Sequence, residues 1–456
     1  MTKPVSATGL STSSLSSNPS NGAVNRATYL KHLLTQASAA ADESALPLKE
    51  LRDEAIAQAS DRTFPSGRDE EWRFTDLSEM LNQPFQRAPQ NSEKQVSGSA
   101  LVPNAHQLTS LNGHTLNSSE GAANAAGVVI APLSELIKTD DYAQKLEPLI
   151  SKHLAKVNGA EEVFTALNTA GFTDVMVVWA KADTVLDTPV CIVRESQGNF
   201  VAHLRTLVIA ERHAKLTLVE SFAHGGQIDD QTARCNTSVT EMWLAEGAQV
   251  NHIRLQNEGA ETFHIAKTAV DQAANSRYQC TAIDLGAKLS RHHLEVYQSG
   301  PQTETHMYGL SALSDRQLAD THSLLTLTHP HSTATQIQKN IVDDRAHAVF
   351  NGRVFVSQTA QLTDASQINR NLMLSSKARI DTKPELDIVA DNVKCAHGAT
   401  VSQLQADEVF YLQSRGISAE QAQRLLLYGF AMEIVEKISI ESLRQSLSDR
   451  LTEWAQ

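Results

Sequence analysis

The chain has 456 residues, 41% of them hydrophobic and 5% aromatic, with a net charge of −13. That acidic surplus argues against a nucleic-acid binder, which needs a basic face to meet phosphates, and the length exceeds the roughly 250–300 residues at which single cores stop growing. No stretch approaches the roughly 20 apolar residues of a membrane helix, no apolar run resembling a secretory signal follows the N-terminus, and four scattered cysteines (Cys191, Cys235, Cys280, Cys395) suit a reducing cytoplasm better than a disulfide framework.

Residues 1–25 are rich in Ser, Asn and Thr and read as a disordered tail. A plastid transit peptide is the less favoured alternative, because the tail has little Arg. Residues 26–188 read as an N-terminal helical and α+β region. Tyr29, Leu30, Leu33 and Leu34 recur at helical spacing, and a second apolar stripe follows Leu46. The stretch FPSGRDEEWRFTDL (64–77) reads as a loop. Its acidic trio, Asp69, Glu70 and Glu71, is expected on a solvated face or at a helix start. Residues 82–126, rich in Gln, Asn, Ser and Ala, read as a polar linker. VVIAPLSELI then suggests a strand entering a helix, 161–170 a helix, and VMVVWA (175–180) a buried strand.

From residue 189 to 405 the character changes. Short strand-like runs such as LVIAERHAKLTLVESF and AEGAQVNHIRLQ follow one another. In SRYQCTAIDLG, Tyr278, Cys280 and Ala282 alternate with polar residues at period two. Gly, Ala, Asn and Ser corners separate the runs, and Asn351-Gly352 is the one clear hairpin signal among them. Corners without tight hairpins favour a β-solenoid whose coils bury inner side chains against one another, over a β-sandwich. Past Gln405 the helical period returns, giving a small C-terminal helical domain over 406–456. Gly416 terminates one helix and Ser418 with Gln421 forms a capping box for the next. Leu427, Phe430, Ala431, Ile434, Val435 and Ile438 share a face, and Leu443, Leu447, Leu451 and Trp454 form a final stripe. The stripes either cover the β unit or dock another protein.

The chain has no GxxxxGK[ST] phosphate loop, since Gly286-Ala287-Lys288 lacks the upstream glycine, and no GxSxG or HExxH motif. His292, His293, His329 and His331 read as ordinary polar or half-buried residues, and Pro330 makes a turn as reasonable as a strand there. DNVKCAHGAT (391–400) differs. If 393–397 is a strand, Val393, Cys395 and His397 share a face, with the two candidate ligands roughly 6–7 Å apart at about 3.3 Å per residue. A thiolate with an imidazole suits iron or zinc, a nearby cation such as Lys394 would favour the thiolate, and two ligands leave a tetrahedral site incomplete. The bland alternative is a buried Cys and a His satisfied by a carbonyl.

KCAHGATVSQL, EVFYLQSRGIS and LLLYGFAMEIVEKI, with VFNGRVFVSQTAQLTDASQINRNLMLS, DTKPELDIVADNVKC and DEEWRFTDL upstream, resemble the SufD family of iron–sulfur cluster assembly proteins. The resemblance covers most of 60–440. The Cys-x-His-Gly-Ala-Thr run sets the chain on the SufD side of the SufB/SufD pair, and Ser402 departs from the glycine more usual there. The resemblance implies a mainly β fold: a right-handed parallel β-helix core between the N-terminal region and the C-terminal helices. It implies a non-catalytic scaffold subunit that pairs with SufB through the β-helices, or with itself when isolated, and binds the ATPase SufC through the C-terminal helices. It also implies a transient iron–sulfur cluster or iron at the SufB interface, held with Cys395 and His397, His397 being the stronger candidate for an iron ligand, and no nucleotide on this chain. The competing readings are a β-solenoid enzyme acting on polysaccharide, for which no clear carboxylate pair stands out, and a structural partner with an inert Cys and His.

Overall fold

The computed structural model describes residues 25–42, 46–89, 101–118, 127–139, 141–224 and 232–454. Residues 1–24, the bulk of the expected tail, and residues 90–100 and 119–126 of the expected linker lie outside the described residues.

From Val190 onward the chain alternates between two sheets. Strands Val190–Ser196, Lys215–His224, Gln249–Asn257, Arg277–Asp284, Glu304–Leu313, Thr333–Val342, Asp364–Met373 and Lys394–Ser402 belong to one. Phe200–Ala210, Arg234–Leu244, Thr262–Gln272, Leu289–Gln298, Leu318–Leu327, His347–Val356 and Arg379–Ile388 belong to the other. Neighbours pair in parallel and in register, so each residue stacks on its counterpart one coil away. The result is the expected parallel β-solenoid, of about eight coils, and not a sandwich. Small residues make the corners possible: Ala214, Ala248, Ala346 and Ala360 are fully buried. The corners also stack by backbone hydrogen bonds, as from Gln249 N to Ala214 O and from Arg277 N to Ala248 O, both 2.8 Å. Between the sheets lies an apolar core that includes Leu218, Val250, Tyr278, Val354 and Val356.

Two local expectations are corrected. Asn351-Gly352 is no hairpin, because both residues sit inside strand His347–Val356. The working Asn-Gly turn is Asn112-Gly113, with φ of 50° and 86°, inside the stretch read as a linker. It joins the antiparallel strands His106–Leu111 and His114–Ser118, which extend one sheet of the solenoid.

Each outer face of the solenoid carries helices. On one sheet, Leu30, Leu33, Phe64, Phe164 and Leu167 of the N-terminal region pack on Phe263, Ile265 and Leu289. On the other, Leu427, Ala431 and Ile434 of helix Ala419–Val435 and Leu443 and Leu447 of helix Glu441–Trp454 pack on Ile253, Ile283, Leu310, Ile341 and Leu372. Ser418 and Gln421 form the expected capping box.

The acidic trio is exposed at the start of the short helix Glu70–Trp72, as expected, and it also has partners. Asp69 accepts hydrogen bonds from the Ser66 amide and hydroxyl. Glu70 pairs with Lys383 at 2.7 Å and Glu71 with His322 Nδ1 at 3.0 Å. Beside them Thr75 donates to Asp320, Arg291 pairs with Asp320, and the Arg291 guanidinium lies 3.9 Å from the Trp72 ring centre. This stretch is therefore a clamp on three strands of one sheet, Leu289–Gln298, Leu318–Leu327 and Arg379–Ile388.

Burial alone would lower the His322 pKa, but Asp320 and Glu71 overcome it and hold it above its ordinary value. Burial would raise Asp320, but Arg291 and His322 hold it far below the usual carboxylate range. The Asp320 contribution is thus present above its unfolded value near pH 3.9 and is lost as pH falls. The His322 contribution is complete below its unfolded value near pH 6.5 and is lost as pH rises through the raised folded value. Replacing His322 by Gln is expected to cost about 1–3 kcal/mol at pH 6, with the difference from wild type shrinking at alkaline pH. Urea unfolding across pH measures it, and a pH-independent difference contradicts the clamp.

Candidate functional site

Both sheets end in pairing order on their last strands, Arg379–Ile388 and Lys394–Ser402. Earlier coils bury their inward rows, whereas side chains here are half-buried or exposed. Val389 and Val401 are each 50% exposed. Pro384 sits in the terminal strand of its sheet, where a missing amide hydrogen is tolerated.

The register shows which way the candidate ligands face. Cys395 is paired with Ala365 and His397 with Gln367, two residues that are buried inside the solenoid. Because alternate residues of a strand face one side, Cys395 and His397 both belong to the inward row, and Lys394 and Ala396 to the outward one. Cys395 is half-buried against the core near Leu386 and Val393. His397 is exposed at the open end.

Lys394 does not favour the thiolate as expected. Burial pushes the Cys395 thiol above its ordinary pKa, Asp364 adds to that, and the backbone hydrogen bond at Ala365 opposes it. The thiol is therefore held in its protonated form more strongly than that of a free cysteine.

Among the described residues, the one set of three or more metal-capable side chains with mutually close donor atoms is Glu162, His293 and Glu295. There the chain supplies its own cation: Lys267 Nζ lies 3.0 Å from Glu162 and 3.1 Å from Glu295. Cys395 and His397 have no third such neighbour among the described residues, so a metal at the open end needs further donors from elsewhere. His292 is buried and bonded to the Thr268 hydroxyl. His329 and His331 lie in the corner after Leu327, His331 with φ of 64°, so they do not converge as strand neighbours.

A second surface lies on the C-terminal helices. Helix Ala406–Gln413 buries none of its residues. Phe410 is 70% exposed, Tyr411 59% and Leu425 50%. Large apolar side chains left in water make these helices a candidate interaction surface. No helix among the described residues is long and apolar enough to cross a membrane.

Sequence reading missed Gln367, whose position beneath His397 depends on register, and the clamp partners Asp320, His322 and Lys383.

Comparison with known proteins adds independent information. Residues 192–430 match the family model described as SUF system FeS cluster assembly, SufBD core domain, and residues 24–192 match that of the SufBD protein N-terminal region. An iron–sulfur cluster assembly SufBD family protein of Synechocystis sp. is 43% identical over 394 residues, 84% of this chain and 86% of that one. The chloroplastic protein ABCI7 of Arabidopsis thaliana is 31% identical over 428 residues, 91% and 88% of the two chains. The iron–sulfur cluster assembly protein SufD of Escherichia coli is 28% identical over 394 residues, 85% and 88% of the two.

Iodoacetamide is expected to label one thiol of the native chain, Cys395, because Cys191, Cys235 and Cys280 are buried. All four should react after unfolding. The Cys395 rate should still be climbing past pH 9. Labelling that levels off near neutrality, or equal labelling of a second cysteine, contradicts this placement.

Proposed function

Because the chain belongs to the SufBD family, as a SufD-type component of the SUF iron–sulfur cluster assembly system, we propose that it is a non-catalytic scaffold subunit whose last coil meets a sister chain of the SufB type. The observation that carries this reading is the open end, where Cys395 and His397 share the inward face of a terminal strand. Terminal strands carry unpaired backbone donors and acceptors, which suit edge-to-edge pairing with another solenoid. Such pairing covers the exposed apolar side chains and brings in the donors that Cys395 and His397 lack. In the absence of SufB, self-pairing through the same edges gives a homodimer.

In this arrangement iron and sulfide are cargo. His397 offers a neutral ring nitrogen and Cys395 a thiol that loses its proton on binding metal. Holding both on a strand within a rigid stack fixes their separation, so little ordering cost falls on binding. The exposed Phe410, Tyr411 and Leu425 surface is the docking face for SufC, which brings the nucleotide chemistry. The four free cysteines agree with work in a reducing compartment, the cytoplasm.

Two measurements test the reading. With SufB and SufC co-purified anaerobically, His397→Ala is expected to lower iron content and cluster absorbance about tenfold or more, with unchanged circular dichroism. Normal cluster accumulation in the Cys395/His397 double variant would leave this chain a structural partner only. Removal of residues 406–456, or Phe410→Asp with Tyr411→Asp, is expected to abolish SufC co-purification while SufB is retained. Retained SufC puts the docking face elsewhere.

A further inference from the structure

The interior row that ends at His397 holds a directional ladder of amides. His397 is in register with Gln367, and Gln367 with Gln336 one coil further in. Gln336 Nε2 donates to Ser323 Oγ at 2.7 Å, and Gln336 Oε1 accepts from Gln367 Nε2 at 2.8 Å. Gln336 thus spends its nitrogen within the body of the solenoid and offers its oxygen to the following coil. Gln367 repeats half of this pattern. Its nitrogen is committed to Gln336, yet its oxygen, fully buried, has no hydrogen-bond partner.

The adjoining row is different. Asn369 donates to Gln338 O at 3.1 Å and accepts from Thr382 at 2.7 Å, and Asn371 donates to Asn369 at 2.6 Å and to Thr400 O at 2.9 Å. The unpartnered oxygen is therefore particular to the His397 row. Room for the Gln367 amide comes from the facing sheet: a Cβ on Gly352 would lie 2.5 Å from Gln367 Nε2.

Nitrogen and oxygen occupy opposite branches of one planar carbon. With the nitrogen spent on strand Thr333–Val342, the other strand beside Gln367 is Lys394–Ser402, where the residue in register is His397. We propose that Gln367 is a positioning residue for His397: its Oε1 accepts one imidazole N–H and so fixes the tautomer, leaving the other ring nitrogen free of a proton and facing the open end. The proposal rests on the reading of His397 as an iron ligand, and it names the group that orients that ligand. Histidines that bind metals hold their rings by this kind of contact through the second nitrogen.

The test uses the full chain labelled with ¹⁵N-histidine, the His397 signals being identified by their loss in His397→Ala. Long-range ¹H–¹⁵N spectra are expected to show one tautomer in the wild type. Gln367→Met should leave a mixture of tautomers, while Gln367→Glu, which keeps an acceptor oxygen, should leave the same ring nitrogen protonated as in the wild type. Thermal unfolding checks that each variant is folded; should Gln367→Met fail to fold, Gln367→Glu carries the test alone. An unchanged tautomer in Gln367→Met, or a different protonated nitrogen in Gln367→Glu, overturns the proposal. In the SufB- and SufC-containing complex, Gln367→Met is expected to slow cluster accumulation roughly tenfold, with rescue by Glu. If His397→Ala assembles clusters normally while the tautomer responds to Gln367, the iron reading fails and the contact stands. If His397→Ala abolishes assembly and the tautomer ignores Gln367, the contact fails and the iron reading stands.

Discussion

In-register stacking of parallel strands governs this molecule. Each coil satisfies its backbone and its inward side chains against the coil before it and presents the same kind of surface to the coil after it. A stack built this way has no natural end. Strands Arg379–Ile388 and Lys394–Ser402 are where it stops, and they inherit inward positions with nothing further in the stack to face. The chain places small or polar residues there, Cys395, His397 and Ala399, in a row that one coil earlier reads Ala365, Gln367 and Asn369. An interior position thereby reaches the open end of the stack without any change of backbone.

The rest of the chain holds the body of the stack together. Helices on both outer faces bury the outward rows. Buried ion pairs tie neighbouring strands, as Arg205 does with Glu241 at 2.7 Å and Arg254 with Asp284 at 2.9 Å. Removing one partner of such a pair leaves an unpaired buried charge, so the pairs enforce one register. The DEEWRFTDL clamp does similar work from outside, reaching across strands that include Arg379–Ile388 through Glu70 and Lys383. The last coil is thus open to a partner and still held by the body of the protein.

Local period and corner composition made the solenoid legible, because period two and small corner residues are properties of adjacent residues. The same holds for the C-terminal helices, whose capping box and apolar stripes lie within single turns. The shared face of Cys395 and His397 followed from their spacing alone. What sequence hid was long-range. The acidic trio is exposed at a helix start, as its composition suggested, but Glu71 meets His322 across 251 positions and Glu70 meets Lys383 across 313, and those partners could not be read locally. Asn351-Gly352 imitated a turn, whereas a Cβ at Gly352 would lie 2.5 Å from both Gln367 Nε2 and Phe350 Cζ. The strand His106–Leu111 is too polar to stand out until it is paired with Val190–Ser196.

The central claim is that the two terminal strands form an interface that a sister chain completes. Hydrogen–deuterium exchange of this chain, alone and with SufB, reads it most directly. The account predicts new protection across Arg379–Ile388 and Lys394–Ser402, with the inner coils unchanged. Exchange at those strands that is identical with and without the partner, or protection confined to the outer helices, would contradict it.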